Sequence, residues 1–232
     1  RALDLLTERF RPFRYLPALR SEGDEVVLQV WPLPGPIAPS RPLLHILLFL
    51  LTCVTTLGAG LHYAGSPTFE ALRASGSVLA GFPFAATLLA ILTVHEFGHY
   101  FMARYHGVSV SLPYFIPLPV GLLGTLGAVI RMQSIVRNRN DLFDIAVAGP
   151  LAGLAVAVPA MILGLHWSRV VPVAPGGYLQ FGEPLLMQLL IYLRFGSVPD
   201  NAMVFTHPVV DAACVGFLLT AFNLLPAGQF DG

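Results

Sequence analysis

Ala85-Ala86-Thr87-Leu88-Leu89-Ala90-Ile91-Leu92-Thr93-Val94-His95-Glu96-Phe97-Gly98-His99-Tyr100-Phe101 is the stretch from which the rest of the chain can be read. It lies inside an apolar run from Val78 to Tyr105, longer than the roughly 20 residues that cross a bilayer core as a helix. An ionisable group inside such a run is costly and marks a functional site by default. Here three polar groups come within five residues. His95 and His99 are four apart, so a helix sets both imidazoles on one face, one turn apart, where they can grip a single Zn²⁺. Glu96, the next residue along, can reach a metal-bound water without being a ligand. Gly98 leaves room beside His99 for a close approach of backbone or substrate.

Three more apolar stretches of spanning length flank this one: Leu43 to Tyr63 before it, Phe143 to Trp167 and His207 to Leu225 after it. The run from Pro184 to Phe195 is apolar but short and reads as an interfacial helix. Between the second and third spans, Ser111 to Ser134 carries Pro113, Pro117, Pro119, Gly121, Gly124 and Gly127 among apolar residues, too many breakers for a helix. Gly124-Thr125-Leu126-Gly127-Ala128-Val129-Ile130 suits an extended strand. Irregular backbone at membrane depth is tolerated where protein or a water-filled cavity satisfies it, so the segment is expected to be a re-entrant hairpin. The expected fold is an all-α polytopic membrane protein of about four transmembrane helices, with that hairpin between the second and third.

Composition supports the reading. Hydrophobic residues make up 55% of the 232 and charged residues 11%, against about 25% charged in soluble domains. The net charge is zero, so nothing favours nucleic acid as a partner. Cys53 and Cys214 both sit in apolar runs and give no disulfide framework. Residues 1–41 form a small polar segment with six of the thirteen Arg, a strand at Glu25 to Trp31 and a Pro-rich linker; residues 42–232 form the membrane-embedded core. Arg is concentrated in the N-terminal tail and in the connection after the second span. By the positive-inside rule, the tail and the active-site side are then cytoplasmic, with a bacterial inner membrane as the expected setting.

Two histidines do not complete a zinc site; a third protein ligand at the same depth is needed. The second and fourth spans run in the same direction, because the third returns the chain. HEFGH lies late in the second and Asp231 just past the fourth, so Asp231 best meets the condition. Asp141 and Asp144 begin the third span on the correct side and are weaker rivals, whereas Asp211 starts the fourth span on the opposite side.

HEFGH followed far downstream by Asn223-Leu224-Leu225-Pro226-Ala227-Gly228-Gln229-Phe230-Asp231-Gly232 resembles the site-2 protease family of intramembrane metalloproteases, whose pattern pairs HExxH with a distal NxxPxxxxDG. Gly124 to Ala128 and the small-residue stretch Ala148-Gly149-Pro150-Leu151-Ala152-Gly153 also look like features of that family. The resemblance covers roughly Leu43 to Gly232. It implies one Zn²⁺ per chain held by His95, His99 and Asp231, Glu96 as catalytic acid/base, and Asn223 placed to help hold substrate or oxyanion. Phe230 replaces the commoner Leu, and the family pattern continues beyond this motif, so a longer natural chain is expected. The implied reaction is hydrolysis of a membrane-protein substrate, with membrane lipid as the other partner. A helical peptide bond is shielded by its own hydrogen bonds, so the target must unwind. The strand carrying Gly124, Thr125, Leu126, Gly127 and Ala128 could then bind it by strand addition. Rival readings are an inactive homologue acting as a membrane binding module and a transporter using the His/Glu cluster for metal or protons.

Overall fold

The computed structural model describes residues 2–13, 15–22, 25–32, 41–63, 74, 76–134, 136, 138–173, 185–199 and 201–223. The chain divides into two compact units, Arg1–Ser40 and Arg41–Gly232. In the first, helix α1 (Ala2–Phe10) is followed by strands β1 (Tyr15–Glu22) and β2 (Glu25–Pro32). The strands pair antiparallel from Tyr15 opposite Pro32 to Glu22 opposite Glu25. The strand expected at Glu25 to Trp31 is β2; its partner β1 and α1 were not expected, although Leu3, Leu6 and Phe10 repeat at helical spacing.

The second unit is built around α3 (Phe82–Tyr105), with α2 (Pro42–Gly60), α4 (Arg139–Trp167) and α6 (Pro208–Asn223) packed against it. The buried side chains of α3 include Phe84, Leu88, Ile91, Leu92, His95, His99 and Ala103, spaced three or four apart except for the adjacent Ile91 and Leu92. The stripe that is Phe and Leu near the start of the helix is therefore His near its end. On one flank, Phe84, Leu88 and Leu92 meet Ala59 of α2 and Ala212 and Val215 of α6. On the other, Ile91 meets Ala157, Met161 and Leu165 of α4 and Val210 and Ala213 of α6. The short helix α5 (Leu185–Phe195) adds Met187 and Ile191 to this second core.

Helices α2 and α4, and α3 with its preceding turn (Val78–Tyr105), are long and apolar enough to cross a membrane. The expected fourth span is α6, whose 16 described residues give about 24 Å of rise. That falls short of a hydrocarbon core of about 30 Å, so three candidate spans rather than four stand among the described residues; Leu224 and Leu225, where the expected fourth span ends, lie outside them. Helix α4 begins four residues earlier than the apolar run suggested. Asn138 caps it, its side chain accepting the Asn140 N–H at 3.0 Å.

Nor is the fold purely helical. Besides β1–β2, strand β3 (Tyr114–Pro117) pairs with β4 (Thr125–Val129), and β5 (Arg169–Pro172) with β6 (Ala202–Phe205). The β3–β4 hairpin falls where breakers excluded a helix. Its register runs Tyr114 to Val129 and Phe115 to Ala128, then shifts before Pro117 meets Thr125. The extra residue lies on β4, where Gly127 has φ +99°. The Thr125 hydroxyl ties this bulge, accepting the Gly127 N–H at 3.0 Å and lying 2.9 Å from the Ile116 carbonyl oxygen.

The hairpin lies along α2. The Pro113 carbonyl is 3.0 Å from His45 Nδ1, Phe115 meets Phe49 edge-on, and Gly124 touches the backbone at Thr55 and Thr56. A Cβ on Gly124 would stand 2.5 Å from Thr56 Cα, and its φ is +71°, so both space and backbone require glycine.

Candidate metal centre

The imidazoles of His95 and His99 sit in the contact between α3 and α4. Both are almost fully buried, at 1% and 3% exposure, as is Glu96 at 2%. The two Nε2 atoms are 3.2 Å apart. His99 Nδ1 is 2.7 Å from the Ile145 carbonyl on α4. A carbonyl can only accept, so Nδ1 carries the proton and the Nε2 lone pair faces His95. This is the arrangement of a metal-binding histidine, whose other ring nitrogen donates to a carbonyl or carboxylate. Two nitrogens bound to one tetrahedral zinc at about 2.0–2.1 Å stand about 3.3 Å apart. The pair therefore fits a zinc ion in its spacing and in the tautomer of His99.

Glycines on α4 make the pocket possible. A Cβ on Gly149 would overlap the His99 ring. One on Gly153 would lie 3.2 Å from both Cβ and Nδ1 of His95. Gly98 on α3 faces the Ala148 carbonyl, where a Cβ would approach to 2.7 Å. The pairing of Gly153 with His95 and Gly149 with His99 makes α3 and α4 antiparallel. Gly216 lies against Ile91 and Asn223 against His95, so α6 runs parallel to α3, as the order of the spans implied.

Asn223, the last described residue, brings its side-chain amide to 3.4 Å from His95 Nε2. Asp231, eight residues further on, lies outside the described residues. Among the described residues no three His, Cys, Asp or Glu side chains are arranged to hold a metal ion. The rival acids have other neighbours. Asp141 and Asp144 flank His106, at 3.4 Å from Nδ1 and 3.2 Å from Nε2. Asp211 accepts the Thr206 hydroxyl at 2.7 Å, at the start of α6. In the hairpin, Thr125 and Ala128 are buried, while Leu126 is 59% exposed.

Sequence reasoning missed the Ile145 carbonyl, a backbone group that carries no residue signal. Gly149 and Gly153 stood out in the sequence only as members of a small-residue stretch. The signal for more was present: the glycines repeat the four-residue spacing of the histidines.

The model of "Peptidase family M50" matches residues 83–232. The chain is 33% identical over 223 residues to the "probable zinc metalloprotease EGY1, chloroplastic" of Arabidopsis thaliana, covering 86% of this chain and 40% of that protein. It is 36% identical over 154 residues to the "probable zinc metalloprotease EGY2, chloroplastic" of Oryza sativa subsp. indica, covering 64% of this chain and 27% of that protein. A 116-residue stretch is 37% identical to the "DDT domain-containing protein PTM" of Arabidopsis thaliana, covering 47% of this chain and 7% of that protein. The chain thus spans about two fifths of the length of the EGY1 relative. No solved structure matches. The EGY names place those relatives in chloroplasts and lend no support to a bacterial inner membrane; what stands is an integral membrane protein.

Proposed function

The chain belongs to peptidase family M50, the site-2 protease family, and from that premise we propose that it forms the core of an intramembrane zinc metalloendopeptidase. Its substrates are proposed to be membrane proteins cut in or beside their transmembrane segments, in regulated proteolysis. The observation that carries this reading is the His95–His99 pair, with Nε2 atoms 3.2 Å apart on the buried face of an apolar helix.

In this reading His95, His99 and Asp231 hold the metal. Zinc, when bound, polarises a scissile carbonyl and acidifies the attacking water. Glu96 takes the proton of that water and returns it to the leaving amine. Its burial beside His95 keeps bulk water from competing for that proton. The Ile145 carbonyl holds the Nδ1 proton of His99, so the ring cannot change tautomer during turnover. The Asn223 amide, next to His95, offers a donor to an oxyanion.

The β3–β4 hairpin is proposed to be re-entrant. Its contacts with α2 extend from His45 to Thr56, about 16 Å of helix rise against a core of about 30 Å. Among the described residues β4 pairs only with β3, leaving a strand edge for an unwound substrate, with Leu126 projecting from it. The histidines lie toward the end of α3, the side from which the hairpin and the Arg-bearing connection emerge. The Arg residues of that connection support a cytoplasmic orientation for that side, by the positive-inside rule.

The test is cleavage of a single-span model substrate by the wild type and Glu96→Gln, with zinc measured in both. Glu96→Gln is expected to keep zinc and lose roughly 10²–10⁴-fold in rate. Equal cleavage by the two proteins would sink the assignment.

A further inference from the structure

Small residues four apart on a membrane helix ordinarily let a neighbouring backbone come close. Gly164 near the end of α4 is used in that way: a Cβ there would stand 2.7 Å from Val210 Cγ2 and 2.9 Å from the Val210 backbone nitrogen. Gly149 and Gly153 on the same helix face imidazoles instead. Ile145, Gly149 and Gly153 form one stripe at four-residue spacing. The first supplies a carbonyl to His99 Nδ1, the second makes room for the His99 ring and the third makes room for His95. Pro150 interrupts the helix ladder beside this stripe, because it has no N–H for the Ala146 carbonyl.

We propose that Gly149 and Gly153 are positioning residues of the metal site: they seat the His99 and His95 rings so that both Nε2 atoms converge on one ion. This rests on the reading of those histidines as zinc ligands. A methyl group at position 149 takes the place of the His99 ring. The ring must turn away, and its bond to the Ile145 carbonyl and its approach to His95 are lost together. A methyl at position 153 meets His95 at 3.2 Å, a distance that a shift of a few tenths of an ångström relieves. The effect at position 153 is therefore smaller and in the same direction.

The experiment compares full-length wild type, Gly149→Ala, Gly153→Ala and Gly164→Ala in detergent micelles. Zinc affinity is measured by chelator competition, the cobalt(II)-loaded proteins are compared by visible spectrum, and thermal midpoints are recorded. Gly149→Ala is expected to bind zinc roughly 10–100-fold more weakly, as on loss of an outer-shell partner, with an altered cobalt spectrum. Gly153→Ala is expected to show a weaker shift of both readouts. Gly164→Ala is expected to melt earlier and keep the wild-type affinity and spectrum. Wild-type affinity and spectra in both Gly149→Ala and Gly153→Ala would overturn the proposal, as would an equal loss of zinc in Gly164→Ala. If Gly149→Ala fails to fold, Gly153→Ala decides: a changed affinity and spectrum support the proposal, and wild-type values overturn it. A wild type that binds no zinc defeats the metal-site reading itself, together with the inference built on it.

Discussion

The junction of α2 with the hairpin and the junction of α3 with α4 each bury a histidine against a backbone carbonyl. His45 has Nδ1 3.0 Å from the Pro113 oxygen, and His99 has Nδ1 2.7 Å from the Ile145 oxygen. What differs is the rest of the ring. The His45 ring lies over Tyr114, with centroids 4.1 Å apart, in a contact that fastens the foot of the hairpin to α2. The His99 ring turns its second nitrogen toward a second imidazole, and glycine rather than an aromatic ring lies beneath it. A buried, carbonyl-bound histidine is thus a latch in one place and a candidate ligand in the other. The distinguishing feature is whether another lone pair converges with its own.

The contrast is broken most directly by deleting each ring. His99→Ala is expected to reduce cleavage to background and to abolish stoichiometric zinc, whereas His45→Phe keeps its zinc; metal analysis and a model-substrate assay check both. Removing the metal should act like removing His99. Treatment with a zinc chelator is expected to stop cleavage by the wild type, and adding zinc back to restore it, with no comparable effect on any residual activity of His99→Ala. Asn223→Ala sharpens the boundary of the site. It is expected to lower kcat by about 10²-fold, the cost of one lost oxyanion donor, with zinc content unchanged; a lowered zinc content would instead make Asn223 a support for His95. On the hairpin, Leu126→Pro is expected to weaken cleavage of a natural substrate by roughly two- to tenfold, the worth of one strand hydrogen bond, with zinc retained. The smallest effect belongs to His45→Phe itself: about 1 kcal/mol of stability for one lost hydrogen bond, seen as a lower thermal midpoint.

Much of this was legible in residue order. The apolar run around HEFGH is α3, and the breakers between Ser111 and Ser134 are a hairpin. The alternation of spans implied the parallel course of α3 and α6 that Asn223 and His95 display. Other parts were not legible. The short strands β5 and β6 pair only because α4 and α6 bring them together, and four-residue strands carry too little periodicity to stand out. The end of the expected fourth span, Leu224 and Leu225, lies outside the described residues. Gly149 and Gly153 announced a close approach, but not what approached.

The sequence by itself determined which groups exist and how they are spaced along each helix: two imidazoles one turn apart, a carboxylate beside them, and two glycines at the same interval on a later helix. Spacing is a property of the covalent chain and of the 3.6-residue turn. The tertiary structure alone decided that the two intervals face each other in antiparallel order, and that His99 Nδ1–H donates to the Ile145 carbonyl. It also decided that Asn223 stands beside His95. These depend on which faces of α3, α4 and α6 the packed core buries together. No local pattern fixes that choice, because every one of these helices has more than one apolar face to offer.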